Sequence, residues 1–488
     1  MAEKKKRRSL NTFLILLAVL LVVSIVTWIA NGQTYTGFDE ETGEAVEMVV
    51  EGASVSDILM APIAGWHDAG DVIGFVFCLG IFLSILNATG ALETGIHVLV
   101  KKLKGKELVL VWILMFLFSI GGTTYGMGEE TVGFYILLAA TMVAAGFDPL
   151  VGAATVLLGA GTGVLGSTIN PFATGAAVSA AVDSGVDVKM GTVYVLAVIL
   201  WIGTFILSGL FVTAYAKKVK SGKGSIFTSE QIKECTEAYG TSTEIDDNVR
   251  LTGKQTAVLI VFALSFVVQI LGFIPWEDLN EGVFNFFGFS AFLTGNPFGW
   301  WWFDDAATWF LLMGFVMGLI GLDDKKKFMP CVINGFTDMI SVNLVIALAR
   351  ATTVIMATTG LGTWLVEASI TALTASGLPA PIFGFLDYLL HVGLSFLVPS
   401  SSGLASLSAP IVSPIVAGMG WSVETSIMIN VAANGFVNLF TPTCGFIMGG
   451  LALARIPWDT WVKWSAKLLA VIAAFSAVVL TVAMLVLS

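Results

Sequence analysis

Long apolar segments without charged residues dominate this sequence and restrict what it can fold into. Several reach the roughly 20 residues that a helix needs to cross the hydrocarbon core of a membrane. Only 12% of the 488 residues are charged, against about 25% in a soluble domain. The sequence therefore predicts an all-α polytopic protein whose partner is the lipid bilayer, and it argues against a soluble enzyme. The segments cover residues 12–31, 72–92, 107–128, 190–216, 254–273, 306–322 and 465–488.

The charges are separated along the chain, although their sum is −11. Acidic residues cluster in the predicted loop 32–70, and basic residues cluster at 4–8, 101–106 and 217–223. Because Lys and Arg in short loops mark the cytoplasmic side, we expect a multi-pass protein of the cytoplasmic membrane with its N-terminus inside. The basic clusters adjoin predicted spans, so they indicate sidedness and no nucleic-acid partner.

Two polar, glycine-rich or serine-rich segments interrupt the apolar sequence. Irregular backbone survives in a membrane only where protein surrounds it or where it lines a cavity, so both segments predict re-entrant hairpins. Each is followed, about 40 to 46 residues later, by a Pro-containing break inside a helix. The predicted hairpins cover about 107–145 and 382–420, and the predicted unwound helices cover about 166–175 and 438–445.

The order of hairpin and broken helix occurs twice, which predicts two inverted repeats. The first repeat covers residues 1–216 and the second covers 301–488. Residues 217–300 are expected to form a cytoplasmic loop, a linking span and an external loop. Inverted repeats with paired discontinuous helices are typical of secondary transporters that bind their substrate near the middle of the membrane.

The polar residues of these breaks are the candidate binding residues. One half of a broken helix offers N–H groups to a carboxylate, and the other offers C=O groups to Na⁺. The alternative is that Ser and Thr hydroxyls only bond back to helix carbonyls. We expect Asn170→Ala or Asn438→Ala to abolish uptake in a folded protein. The predicted substrate-binding residues are Thr123, Thr124, Glu129, Glu130, Ser167, Thr168, Asn170, Pro171, Ser400, Ser401, Ser402, Gly403, Asn438, Thr441, Pro442 and Thr443, and the predicted coupling-ion residues are Thr124, Asn170, Ser401 and Asn438.

Ionisable residues inside apolar segments form a second group of candidates. A charge at the bilayer centre costs about 2.5–3.5 kcal/mol on insertion scales, so Glu129 and Glu130 would bind a cationic group, take up a proton or face cytoplasmic water. Asp338 and Arg350 lie 12 residues apart in one predicted helix, which is about 18 Å. They are therefore not expected to pair, and structural and transport roles stay open for both. His391 either titrates near neutral pH or is a packed hydrogen-bonding residue.

Other chemistries find little support in the sequence. There is no Walker A motif and no H-E-x-x-H motif, and the four cysteines lack metal or disulfide spacing. GTGVLG at residues 161–166 lies in an apolar segment without a preceding strand, so it indicates close helix packing. We expect no cofactor, apart from Na⁺ or H⁺ as a coupling ion.

Four segments together resemble the YfcC-type branch of the anaerobic dicarboxylate carrier (DcuC-like) family, part of the ion transporter superfamily. The resemblance implies a homodimer whose transport domain moves as an elevator against a scaffold domain. It also implies exchange of basic amino acids such as arginine and ornithine, or carriage of carboxylates. Gly403-Leu404 departs from the Gly-Gln usual in the family, which puts the usual substrate in question. The four segments are GGTTYGMGEETVGFY (121–135), LLGAGTGVLGSTINPFATGAA (157–177), PSSSGLASLSAPIVSPI (399–415) and NLFTPTCGFIMGGLALARIPWDTWVKW (438–464).

The function predicted from the sequence is secondary active transport of a small amino acid or carboxylate, driven by Na⁺, H⁺ or exchange. Two alternatives stay open. One is a channel, which would need a continuous polar stripe or an oligomeric pore. The other is an intramembrane enzyme with Ser400, Ser401 or Ser402 as nucleophile and His391 as the only candidate base.

Overall fold

The computed structural model describes residues 12–38, 45–102, 106–222, 224–239, 250–375 and 377–488. Residues 4–8 and 103–105 of the predicted basic clusters, and Asp39, Glu40, Glu41 and Glu44 of the acidic loop, lie outside these ranges. The described part is predominantly helical, as expected, but it also contains one two-stranded sheet, which the all-α prediction did not include.

The first half of the chain contains nine helices and both strands. The strands pair in antiparallel fashion, with Thr34 opposite Val49. The elements are α1 (Thr12–Ile29), β1 (Thr34–Phe38), β2 (Ala45–Val49), α2 (Val55–Asp68), α3 (Gly70–Ala88), α4 (Ala91–Lys102), α5 (Glu107–Tyr125), α6 (Val132–Ala144), α7 (Pro149–Leu165), α8 (Ala176–Asp183) and α9 (Met190–Lys220).

The second half of the described chain contains twelve α-helices and no β-strand. Its elements are α10 (Ser229–Tyr239), α11 (Gly253–Phe273), α12 (Trp276–Leu279), α13 (Glu281–Phe287), α14 (Phe303–Gly321), α15 (Phe328–Thr358), α16 (Leu361–Ala375), α17 (Ala380–Leu397), α18 (Ser401–Gly418), α19 (Val423–Val437), α20 (Gly445–Leu453) and α21 (Trp458–Leu487).

Many of these helices are long and apolar enough to cross a membrane. Within the described residues nine helices meet this condition, while α1 and α7 are apolar but slightly shorter. The predicted spans at 72–92, 190–216, 254–273, 306–322 and 465–488 each fall on one of the nine. The prediction of many apolar helices is confirmed.

Local sequence explains where the helices are interrupted. Gly126 ends α5 in the left-handed conformation (φ +78°), which glycine adopts without steric cost. Asn170 accepts a hydrogen bond from the backbone N–H of Phe172 (2.9 Å), and Pro171 starts a short π-helical turn that leads into α8. Ser400 caps α18 by accepting a hydrogen bond from Gly403 N (3.2 Å).

We name four irregular segments from these interruptions. The connection between α5 and α6 is the first tip (residues 126–131), and the connection between α17 and α18 with its first turn is the second tip (residues 398–402). The interruption between α7 and α8 is the first break (residues 166–175), and that between α19 and α20 is the second break (residues 438–444).

Ten helices, α5 to α9 and α17 to α21, surround the tips and breaks, and eight of them make reciprocal contacts. Helices α5 and α6 pack on α7, and α17 and α18 pack on α19. Helix α18 also contacts α8, while α6 contacts α20. Each pair of helices therefore touches the broken helix that follows it and the broken helix of the other group.

A second group of helices stands beside these ten. Helices α2 and α3 follow each other directly and lie along α15, while α14 packs on α3. A Cβ placed on Gly335 of α15 would lie 2.6 Å from Ile81 Cα of α3, so glycine permits the close approach of the two backbones. This group meets the ten-helix group where α20 packs on α15 and α6 on α3.

The structure corrects the prediction that residues 32–70 form only a loop. The described part of this segment holds β1, β2 and α2. Ser54 and Asp57 form a capping box, with Asp57 N donating to Ser54 Oγ (3.1 Å) and Ser54 N to Asp57 Oδ2 (2.8 Å). Such a box stabilises a helix start, and α2 buries Ala61 and Gly65 as it packs on α15.

Candidate substrate site

Both tips and both breaks meet at one cavity of about 120 Å³. Helices α3, α14 and α15 of the second group also line it, through Val72, Phe303 and Arg350 among others. The predicted binding residues that line the cavity are Glu129, Glu130, Ser400, Ser401, Ser402, Asn438 and Thr443. The predicted residues that do not line it are Thr123, Thr124, Ser167, Thr168, Asn170, Pro171, Gly403, Thr441 and Pro442, and their role in binding stays a prediction.

The first tip brings two carboxylates to the cavity. The Glu130 side chain is 3% exposed, and its Oε2 accepts a hydrogen bond from Gly128 N (3.0 Å). Glu129 starts the short 3₁₀ turn that leads into α6 and is only partly buried. Glu130 is therefore held by its own tip, and the Glu129 carboxylate forms no salt bridge among the described residues.

Arg350 of α15 faces these carboxylates across the cavity. It is the only cation among the cavity residues in the described part of the chain. Its Nη1 lies 3.6 Å from Oδ2 of Asp68 at the end of α2, which is longer than a hydrogen bond. The sequence left the role of Arg350 open and marked it only as an isolated cation in a predicted apolar helix. As expected, it does not pair with Asp338.

The predicted residues of the first break hold the first helix pair against α7. Thr123 Oγ1 donates to Gly166 O (2.7 Å), and Thr168 N donates to Thr123 O (2.8 Å). Asn170 Nδ2 donates to Ser167 Oγ (2.8 Å). Thr124 Oγ1 instead bonds back to Ile120 O of its own helix (2.7 Å), a common arrangement in membrane helices. These polar groups satisfy one another within the protein.

The second tip and second break leave polar atoms facing the cavity. Asn438 Nδ2 donates to Pro399 O (2.8 Å) and to Asn434 Oδ1 (2.9 Å), while its own Oδ1 has no hydrogen-bond partner in the described protein. Ser401 Oγ also donates to Asn434 Oδ1 (2.9 Å). Thr443 Oγ1 donates to Phe396 O (3.1 Å).

Asn434 is a residue of this region that the sequence analysis missed. It is 1% exposed and joins the second tip to α19, because its amide also donates to Val398 O (3.2 Å). Its signal is spacing, since Asn430, Asn434 and Asn438 recur every four residues on one helix face.

An aromatic cluster closes one side of the cavity. The Phe172 ring of the first break lies 4.7 Å from Trp302 and 6.1 Å from Phe303, between ring centroids. The Trp302 indole N–H donates to Asp71 Oδ2 (2.7 Å). Phe172 and Phe303 line the cavity themselves, so the rings limit its size. Sequence reasoning did not place these aromatic residues at the site.

His391 does not serve the serines of the second tip. Its Nδ1 lies 2.9 Å from Asp387 Oδ1, and its Nε2 lies 2.6 Å from Ser408 Oγ. All three side chains are at most 1% exposed. The arrangement resembles a Ser-His-Asp triad, but the Ser408 hydroxyl is buried and both imidazole nitrogens are already engaged, so His391 is not available as a base for Ser400 to Ser402.

Within the described residues, no group of three or more His, Cys, Asp or Glu side chains is placed to hold a metal ion. Hard cations such as Na⁺ would use carbonyl, amide and hydroxyl oxygens instead. Those atoms are present at the second tip and second break. Of the four predicted coupling-ion residues, Ser401 and Asn438 line the cavity and Thr124 and Asn170 do not.

The model of the C4-dicarboxylate anaerobic carrier (DcuC) family matches residues 11–485. The chain belongs to this family. The resemblance seen in the four sequence segments is thereby confirmed, and with it a multi-pass membrane transporter.

Two relatives extend the family match over most of the chain. An uncharacterized protein of Haemophilus influenzae is 28% identical over 419 residues, which cover 84% of this chain and 74% of that protein. A protein of Escherichia coli named "Putative basic amino acid antiporter YfcC" is 25% identical over 512 aligned residues, covering 96% of this chain and 95% of that protein.

Two solved transporter structures are similar to this carrier-family chain. The YdaH transporter of Alcanivorax borkumensis has a TM-score of 0.49 at 16% identity and covers 97% of this chain and 98% of its own. MtrF of Neisseria gonorrhoeae, described within a class of antimetabolite efflux pumps, has a TM-score of 0.46 at 14% identity, with 99% and 96% coverage.

Proposed function

We propose that this protein is a secondary active transporter of small amino acids and that it prefers basic ones. One observation carries the proposal: two carboxylates and one guanidinium line the cavity at which both tips and both breaks meet. In this proposal Glu129 and Glu130 bind the cationic groups of a basic amino acid, and Arg350 binds its carboxylate.

The charge balance of the cavity favours a cationic substrate. A dicarboxylate would bring two more negative charges beside Glu129 and Glu130, and like charges at short range in a low dielectric repel strongly. A basic amino acid instead brings one carboxylate and two cationic groups, which match Arg350 and the two glutamates one for one. Buried charges are tolerated when they are paired in this way.

The finer features of the transport cycle belong to the same proposal. The reciprocal contacts of the ten helices support two inverted repeats and an elevator movement against the group of α2, α3, α14 and α15. The free Asn438 Oδ1 and the Ser401 hydroxyl support Na⁺ coupling at the second tip, and Glu129 supports proton coupling or exchange. A homodimer in the cytoplasmic membrane, with the N-terminus inside, completes the proposal and rests on the family resemblance and the charge clusters.

Counterflow in proteoliposomes tests this function. We expect radiolabelled L-arginine to enter vesicles preloaded with unlabelled arginine or ornithine, with saturable kinetics. Arg350→Gln should weaken arginine uptake by about tenfold or more, since a charged hydrogen bond contributes about 1.5–3 kcal/mol. Asp68→Asn is the matched control. Asp68 pairs with Arg350 but does not line the cavity, so this variant should keep an uptake rate near that of the wild type. Uptake that never saturates would favour a channel.

C4-dicarboxylate transport is the second candidate function. The family description and the guanidinium of Arg350 favour it. Succinate added in excess separates the two candidates, because it should compete with labelled arginine only if dicarboxylates bind the same cavity. Strong competition by succinate together with no effect of lysine or ornithine would reverse our preference.

A further inference from the structure

A second cavity, of about 780 Å³, lies in the same crevice as the candidate site. The crevice separates α3 and α15 from α6 and α20, and both cavities are lined by these four helices or by the residues that lead into them. On α15 the site is marked by Arg350 and the second cavity by Asp338. Twelve helical residues separate these two positions by about 18 Å.

The second cavity has the same charge complement as the candidate site. Two carboxylates, Glu93 and Asp338, and one guanidinium, Arg455, line it, as Glu129, Glu130 and Arg350 line the site. No salt bridge among the described residues involves Glu93, Asp338 or Arg455. A carboxylate within a membrane-spanning helix faces a water-filled cavity or a partner, and Asp338 is exposed towards this cavity.

Arg455 is held in an unusual backbone conformation. Its φ of +54° is the only positive φ of a non-glycine residue in the described chain. Arg455 N donates to Ala452 O (3.0 Å) and Ile456 N to Leu451 O (2.8 Å), which are the two hydrogen bonds of a Schellman motif. Glycine is the usual residue at this position, because a residue with a Cβ is strained in the left-handed conformation. The turn therefore favours glycine. Arginine at this position differs from glycine in bringing a guanidinium group to the cavity.

A narrow waist separates the two cavities. Gly449 of α20 packs against Val342 of α15. Both residues lie between the residues that line the site and those that line the second cavity on their own helices. A solute that moves along the crevice therefore passes from one charged cavity to the other across small apolar contacts.

We propose that the second cavity is a second binding site for the transported solute, an amino acid whose carboxylate pairs with Arg455 and whose cationic groups pair with Glu93 and Asp338. This inference rests on the proposed function for its substrate class. The site holds the solute at the opposite end of the crevice, where it enters or leaves the protein.

Equilibrium binding of radiolabelled L-arginine to the purified full-length protein tests the proposal. We expect two sites in the wild type. Arg455→Gly keeps the backbone conformation and removes only the guanidinium, so it should fold as well as the wild type, and Asp338→Asn keeps the side-chain shape. Each should weaken one site about tenfold or more, while Glu129→Gln should weaken only the other. Asp323→Asn, at an exposed ion pair with Lys254, is the control that keeps both sites.

The possible outcomes separate the two proposals. A single site in the wild type that Glu129→Gln removes and Arg455→Gly leaves intact would overturn the second site and support the proposed function. Two sites that respond to the variants as described would support both. No arginine binding at all in a protein that also shows no counterflow would overturn both.

Discussion

The first and second tips have similar sequence signals but different structural surroundings. At the first tip and first break, the hydroxyls and amides of Thr123, Thr168 and Asn170 bond to each other and to neighbouring groups, and the two glutamates are the only polar side chains of the described tip and break that line the cavity. At the second, the neutral groups of Ser400 and Asn438 line the cavity directly. The difference suggests a division of labour, in which the first tip and break contribute charge and a rigid joint and the second tip and break contribute neutral polar groups.

Removing a charge at the first tip should have the largest effect on the affinity for arginine. Glu129→Gln removes a charged partner worth about 1.5–3 kcal/mol, so the affinity for arginine should fall about 10- to 150-fold. Ser402→Ala at the second tip removes a neutral partner of about 0.5–1.5 kcal/mol and should lower the affinity at most about tenfold. Isothermal titration of both variants measures the contrast, and equal losses would contradict the division of labour.

The two asparagines of the breaks should separate binding from stability. Asn170→Ala removes a helix cap worth about 0.5–2 kcal/mol, so it should lower the melting temperature while the folded fraction keeps its affinity for arginine. Asn438→Ala removes a cavity-lining oxygen and should lower the affinity itself. Thermal melts and binding curves on the same samples decide this. The sequence alone predicted lost uptake for both, and the same loss of affinity in both would restore that view.

Glycine substitutions should distinguish the shapes of the two tips. Gly126→Ala would force a left-handed residue and place its Cβ 2.8 Å from the Asn170 amide, so we expect a loss of about 1–3 kcal/mol in stability. Gly403→Ala has no such backbone constraint, and its Cβ would meet Ser400 at 3.2 Å. Its cost should be smaller, because a helix start tolerates alanine. Chemical denaturation in detergent compares the two, and a larger cost at Gly403 would contradict the description of the tips.

The smallest predicted effect concerns two neighbouring threonines. Thr123→Val breaks the hydrogen bond to Gly166 O that joins α5 to the first break, which should cost about 1 kcal/mol or more. Thr124→Val breaks only a bond to its own helix and should be close to neutral. The melting temperatures of the two variants test whether Thr123 joins α5 to the first break. A Thr123→Val variant that melts like the wild type would contradict this role.

Local sequence signals located most of the helices and all four interruptions. Charge-free runs long enough to span a membrane correspond to α3, α9, α11, α14 and α21, because hydrocarbon tolerates little else over that length. Gly126, Pro171 and Ser400 mark interruptions because each changes the backbone within one or two residues of itself. The prediction of an acidic loop at residues 32–70 was incomplete. Helix α2 packs there on α15, whose residues lie about 300 positions away in the sequence.

What only the tertiary structure decided is which polar groups face one another. Thr123 and Thr124 are adjacent in sequence, yet one joins two helices and the other bonds to its own, because side-chain direction on a helix rotates by about 100° per residue. Arg350 and Asp338 share a helix but serve different cavities, since the partners that surround each position come from α2, α4, α6 and α20. Sequence determines where a membrane chain must bend, and the packing of distant helices determines which of its few charges meet.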